Sequence, residues 1–312
     1  VIPANVNSFA DASFTIQSLT NWNNGSSGNF QNIGIASNSA VTITGNLQVG
    51  DNTAFDFGGN NIVNTTISGA GATLQANSNV FVIETSASSG SHNATLDLSG
   101  LDNFSMNGGQ IRVGIEGSGN AHRATGQFYF AKTNNLTLTL DGTGALYIGH
   151  NKSTAPSIAP ALYLGIENKI YFTNNTGVIV GRANTPGSLL EFNPAFVAQN
   201  PTAYFRGADD NSRVATWSVG DNSANSTNSA NATSGTNDFT GGTLDALVGT
   251  MQLGVSCPAG IGGTGNGTGT LTFNSGALDV NILQLGADTG NTGTSTGIGV
   301  MNVNGGLLNV NS

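Results

Sequence analysis

Charge is scarce in this chain. Asp, Glu, Lys and Arg make up 8% of its 312 residues, against about 25% in ordinary soluble domains. Lys and Arg together number eight, and the net charge is −9. Phosphate contacts need clustered basic side chains, so nucleic acid is excluded as a partner, and an anionic lipid surface is disfavoured for the same reason. The single cysteine, Cys257, has no intramolecular disulfide partner. Near-absence of Cys in such a composition suits an exported bacterial-type protein. No apolar run approaches the roughly 18 residues of a membrane span. Amphipathic helices are missing too, since residues 193–201 make at most one helical turn, closed by Pro201. The sequence begins at Val1 rather than Met. It therefore reads as a mature or partial chain whose signal peptide is gone.

What is abundant is Gly, at 45 residues, together with Asn, Ser and Thr, while the 38% of hydrophobic residues are dispersed in alternation. Alternation is the signature of strands with one buried face. Repeats come next. The pattern apolar-x-apolar-Gly begins at Leu47, Ile111, Leu146, Leu162, Val178, Trp217, Met251 and Leu283, with steps of 64, 35, 16, 16, 39, 34 and 32 residues. These cluster near multiples of about 16, as a coil with variable loops would give. A second half-unit, Gly-Gly followed by alternating residues, recurs at Asn107-Gly108-Gly109, Gly241-Gly242 and Asn304-Gly305-Gly306, and more faintly at Phe55 to Gly59. Insertions follow the Gly of each unit, which places them at one corner of the coil, where Gly reaches positive φ without a Cβ clash.

The clearest unit spans residues 269–312. Thr270 to Val280 and Val300 to Val310 each read strand, Asn-x-Gly corner, strand, with Leu283-Gln284-Leu285-Gly286 between them. These units resemble the autotransporter-associated β-strand repeat of long exported bacterial proteins, and residues 162–253 look like the body of the same class. The resemblance implies a right-handed parallel β-solenoid outside the cell. It implies no catalytic residues, and the chain shows no C-terminal membrane barrel.

Motifs that suggest chemistry dissolve on inspection. Gly260 to Gly265 spells G-x-G-x-x-G, but a Gly/Thr loop follows where a dinucleotide site needs a helix. Gly262 to Gly265 opens like a calcium nonapeptide, yet Gly267 stands where that motif supplies a carboxylate. Asp209-Asp210, flanked by Arg206 and Arg213, is the densest charge cluster, and it reads as a solvated turn held by local ion pairs. His92, His122 and His150 fall in polar loops with no ligand spacing, and Cys257 reads as a small buried side chain. The strand phenylalanines, Phe128, Phe130, Phe172, Phe192, Phe205, Phe239 and Phe273 among them, read as inward stacks, leaving Tyr147 and Tyr163 as the outward aromatic pair. No catalytic, metal or cofactor site is assigned. Nine N-x-S/T sequons begin at Asn24, Asn64, Asn93, Asn135, Asn151, Asn174, Asn225, Asn231 and Asn266. They are candidate glycosylation sites if the host glycosylates, and residues 222–236 read as a surface loop.

The expected fold is all-β, a right-handed parallel β-helix of roughly ten rungs with variable corner loops and Asn ladders at corners. Handedness here follows the crossover rule and the resemblance. Residues 1–30 are expected to be an N-terminal cap or an inter-subunit strand. Residues 31–312 are expected to be the solenoid, with the natural protein continuing beyond 312 as one reading of its mid-pattern end. The favoured function is non-enzymatic: an extracellular or cell-surface structural subunit that polymerises head to tail. Phe9, Phe14, Ile16, Leu307, Leu308 and Val310 are the candidate contacts. An adhesin or glycan-binding module is the first alternative, and a β-helix polysaccharide lyase or hydrolase the second.

Overall fold

The computed structural model describes residues 6–22, 28–50, 61–85, 91–116, 123–139, 144–150, 159–173, 177–224, 231–258, 263–290 and 292–312. Among them the one helical element is the 3-10 turn Pro194–Gln199, and all other regular structure is strand. No helix there is long and apolar enough to cross a membrane. The strands stack in parallel as a β-solenoid, in three ladders. Strands Val6–Ala10, Phe14–Ile16 and Leu19–Asn21 form the first turn, pairing in register with Asn29–Ile35, Ala40–Ile43 and Leu47–Val49 of the second. Nine successive pairings join ten strands in the first ladder, which ends at Gly297–Val303. Eight pairings join nine strands in the third, which ends within Gly276–Ala287. The rung count thus depends on the ladder.

Alternation sets which side chains face inward. Along Gly267–Phe273 every second residue is buried, with Leu271 and Phe273 inside and Thr268, Thr270 and Thr272 outside. In the second ladder one inward column runs Ile16, Ile43, Ala76, Met106, Leu136, Ile170, Phe205, Ala246, Leu278 and Leu308. The eight between its two ends are no more than 2% exposed. Burying each of the six larger side chains among them stabilises by roughly 1.5–3 kcal/mol. The seven strand phenylalanines expected inside are all buried, and Trp217 joins them, 4.7 Å from Phe205. Phe55 and Phe57 lie outside the described residues.

The apolar-x-apolar-Gly units occupy one place in the coil, with one exception. Leu47, Ile111, Leu146, Val178, Trp217, Met251 and Leu283 share a single column of the third ladder. Between Leu47 and Ile111 the column contains Val80, so the 64-residue step hides a further copy, Val80-Phe81-Val82-Ile83. The exception is Leu162 to Gly165, which belongs to the first ladder, where Leu162 pairs with Phe128. The two 16-residue steps are therefore one turn of the coil cut in half. The true period is a full turn, 31 to 39 residues, measured between starts at 47, 80, 111, 146, 178, 217, 251 and 283. The expected spacing near 16 is corrected accordingly.

At the end of each copy the backbone turns left-handed. Gly220 has φ +68°, Gly254 +69°, and Ile83, where Gly is missing, +53°. Left-handed geometry costs a residue with Cβ about 1–2 kcal/mol. The corner is also tight. A Cβ on Gly220 would run into the Thr268 carbonyl, and one on Gly254 into that of Ile298. Most segments after this corner, among them 51–60, 86–90, 117–122, 151–158, 225–230 and 259–262, lie outside the described residues.

Residues 6–21 pair in register with the second turn, and Asn29–Ile35 spans the 30/31 boundary. The tract 222–236 is loop only in part: Thr233 and Asn222 are fully buried, and a strand starts at Thr233. An Asn ladder exists, with Asn134 Nδ2 donating to Asn168 Oδ1 at 2.9 Å, both residues being 1% exposed. Asn168 Nδ2 then donates to the Thr202 and Gly165 carbonyls, so the ladder ties side-chain amides to the corner backbone.

The corner can be tested by substitution. Gly220→Ala is expected to lose about 2 kcal/mol or more, combining left-handed strain with overpacking. Gly108→Ala, at φ +92° with no atom within 4 Å of the added Cβ, should lose about 1 kcal/mol from the backbone term alone. Urea unfolding of both variants measures the difference.

Candidate functional site

Two places on the solenoid carry unusual surface: its ends, and one flank of the second ladder.

At the first end the inward side chains Phe14, Ile16 and Leu19, with Phe9, Ile33 and Val41, line an apolar recess of about 310 Å³. Phe9 is 70% exposed and Phe14 45%. At the other end Leu283, Met301 and Leu308 are only partly covered. Val310 continues the inward column below Val280 and is 43% exposed. Leu307, 53% exposed, stands on the outer face, in the column of Asp245 and Ala277. The six candidate contact residues thus divide between the two end turns.

On the flank, successive turns place Asn135, Lys169, Tyr204 and Asp245 in one outward column, in register. Beside it run Thr133, Glu167, Thr202 and Thr243. The turn Pro194–Gln199 builds a wall along this strip. Asn193 caps it by accepting from the Ala195 N–H, and Asn200 closes it in left-handed geometry. Floor and wall enclose a groove of about 670 Å³, lined by Asn135, Glu167, Lys169, Asn200, Tyr204 and Asp245 among others. That is within the range of small-ligand sites.

Arg206 organises the groove's far edge. Its guanidinium lies 3.8 Å over the Tyr204 ring. Nη2 donates to Asp245 Oδ1 at 2.8 Å, Nη1 to the Asp245 and Phe205 carbonyls, and Nε to the Asp210 carbonyl. Asp210 Oδ1 accepts from Tyr171 Oη at 2.7 Å and Tyr204 Oη at 3.1 Å. Those hydroxyl donors hold the Asp210 carboxyl below its usual range, Tyr171 first. The same bond pushes the Tyr171 hydroxyl up to about 12. Asp209 instead caps its own turn, accepting from the Asn211 and Ser212 N–H groups. Local ion pairs do not hold this turn. Arg206 pairs with Asp245, one turn on, and Arg213 with Asp279, two turns on, at 2.8 Å each. Vertical neighbours in a coil are close in space and distant in sequence, which is why adjacency misled. Arg206, Arg213 and Asp210 are thus engaged as cross-turn ties.

Other candidate residues fall elsewhere. Tyr163 does face outward, but its partner is Tyr129, stacked at 4.3 Å on the first ladder. Tyr147 is 3% exposed, in a small apolar cluster with Ile115 and Ile179 outside the main core. His150 lies against Tyr147 at 5.2 Å, and burial, helped by Arg182 and Arg112, pushes its pKa down to about 3. His92 is 5% exposed, inside Ser91–Asp97. Both depart from the expected surface loops, because each sits in a strand, and His122 lies outside the described residues. Cys257 is fully buried and accepts from Asn222 Nδ2 at 3.2 Å. Of the sequons, Asn24, Asn151, Asn174 and Asn225 lie outside the described residues. Asn135 is exposed on the groove floor, while Asn64, Asn93 and Asn231 are half-buried. Asn266 Oδ1 accepts from the Thr296 N–H and hydroxyl. No group of His, Cys, Asp and Glu among the described residues is arranged to hold a metal.

Comparison with protein-family models, curated proteins and solved structures finds no match for this chain.

Two variants test the ties. Arg206→Ala is expected to cost about 1–3 kcal/mol through its charged hydrogen bonds. Arg206→Lys should recover little, since an ammonium supplies neither the fork nor the stacked plane. Thermal melts of both decide it. Asp210 has a depressed folded pKa, so its contribution is present above the unfolded value near 3.9 and is lost as pH falls through the folded one. Asp210→Asn should therefore flatten the acid limb of the melting profile below about pH 4.

Proposed function

We propose that the chain is a structural β-solenoid that joins copies of itself head to tail. The supporting observation is the inward column from Ile16 to Leu308, buried between its ends and partly uncovered at Ile16 and Leu308 themselves. An end turn of a parallel stack presents a row of unpaired amides and carbonyls beside apolar side chains. The two ends differ, so their contact is heterologous and propagates without closing. Leu308 of one copy then takes the place below Ile16 of the next, and Val310 and Phe14 are covered by the same step. The low charge and the resemblance to exported repeat proteins favour an extracellular or cell-surface setting.

Sedimentation velocity and negative-stain electron microscopy over a dilution series test this reading. Axial oligomers should grow with concentration. Leu308→Asp and Ile16→Asp should each abolish them while the single solenoid keeps its melting temperature within a few degrees. A concentration-independent monomer would remove the proposal.

A further inference from the structure

The flank groove has features that end-to-end assembly does not require. It lies on the side of the solenoid, away from both end turns, and its floor is drawn from four successive turns: Asn135, Lys169, Tyr204 and Asp245. We propose that this groove binds a neutral linear oligosaccharide laid along the solenoid axis.

Three observations carry the proposal. The first is spacing. Outward side chains in one column repeat every ~4.8 Å, close to the length of one pyranose ring, so a linear glycan meets a fresh polar side chain at each sugar. The second is charge. Glu167 and Asp245 are offset by Lys169 and by Arg206, which is paired with Asp245. A balanced lining of amides, hydroxyls and paired charges suits hydroxyl groups, which both donate and accept, better than phosphate, sulfate or uronate. The third is the aromatic. One face of Tyr204 is taken by the Arg206 guanidinium at 3.8 Å and its hydroxyl is held by Asp210. The ring is thereby fixed on the groove lining, as a platform for the apolar face of a sugar. Its ordering precedes binding, which removes an entropic cost that a mobile ring would carry. Asn200, in left-handed geometry at φ 51°, adds a polar side chain from the wall.

The proposal does not depend on head-to-tail assembly, and its test uses an assembly-deficient background to keep the two apart. The full 312-residue chain carrying Leu308→Asp, made in a bacterial host so that Asn135 is unmodified, is titrated calorimetrically. The probes are cellohexaose, xylohexaose, mannohexaose and laminarihexaose, with hexagalacturonate as the anionic comparison. At least one neutral hexasaccharide should bind, and more tightly than hexagalacturonate. Tyr204→Ala should weaken it at least 10-fold, Tyr204→Phe less than 3-fold, and Lys169→Ala about 3- to 10-fold. Tyr163→Ala, on the first ladder, should leave it unchanged. Circular dichroism melts establish that each variant is folded, and the Phe variant keeps the ring where the Ala variant disturbs packing. No heat or shift with any neutral probe overturns the proposal. So does preference for hexagalacturonate, or binding that is lost with Tyr163→Ala and kept with Tyr204→Ala.

Discussion

The fold depends on one corner. At the end of each third-ladder strand from Leu47–Val49 onward the chain turns left-handed, and at the corners Gly220 and Gly254 a strand of a later turn presses against it. Gly220 against Thr268 and Gly254 against Ile298 show both demands at one residue. A side chain there is excluded twice, by φ and by space. The corner sets where the coil closes, and from that follow the register of all three ladders and the depth of the core. Ile83 shows that the geometry outranks the residue: it adopts φ +53° in the same place, and its side chain is buried at 2% exposure.

This explains what was legible in the sequence. Apolar-x-apolar-Gly was visible because the corner selects Gly, and the alternation before it was visible because one strand face is buried. The parallel solenoid follows from those two patterns. The period was misread because Leu162 to Gly165 imitates the unit in another ladder, where its Gly has no left-handed backbone, and because Val80 to Ile83 fills the column without a Gly. Pattern matching sees residues, whereas the constraint acts on φ and clearance.

The flank was harder to read. Vertical neighbours in a coil are one turn apart, so Asn135, Lys169, Tyr204 and Asp245 touch no common motif in sequence. Arg206 looked like an ion-pair partner of Asp209 and Asp210, and instead it pairs with the Asp245 carboxylate one turn away while touching Asp210 only at its carbonyl. Knowing the turn length in advance would have aligned them. Alternation also failed on the outer face of the third ladder. Gln48, Phe81, Tyr147, Ile179 and Ser218 point away from the core yet are under 9% exposed. Period-two patterning says which face a side chain takes, and nothing about what that face packs against.

Head-to-tail stacking requires the two end turns to be complementary in register. Thr15 and Leu307 terminate one outward column, so stacking by one further rung places them about 4.8 Å apart, within disulfide reach. The direct measurement mixes Thr15→Cys chains with Leu307→Cys chains, both in a Cys257→Ser background, under mild oxidation. The mixed cross-link should dominate over either self-cross-link. Self-linked pairs in excess, or no cross-link at concentrations where oligomers sediment, would contradict head-to-tail stacking.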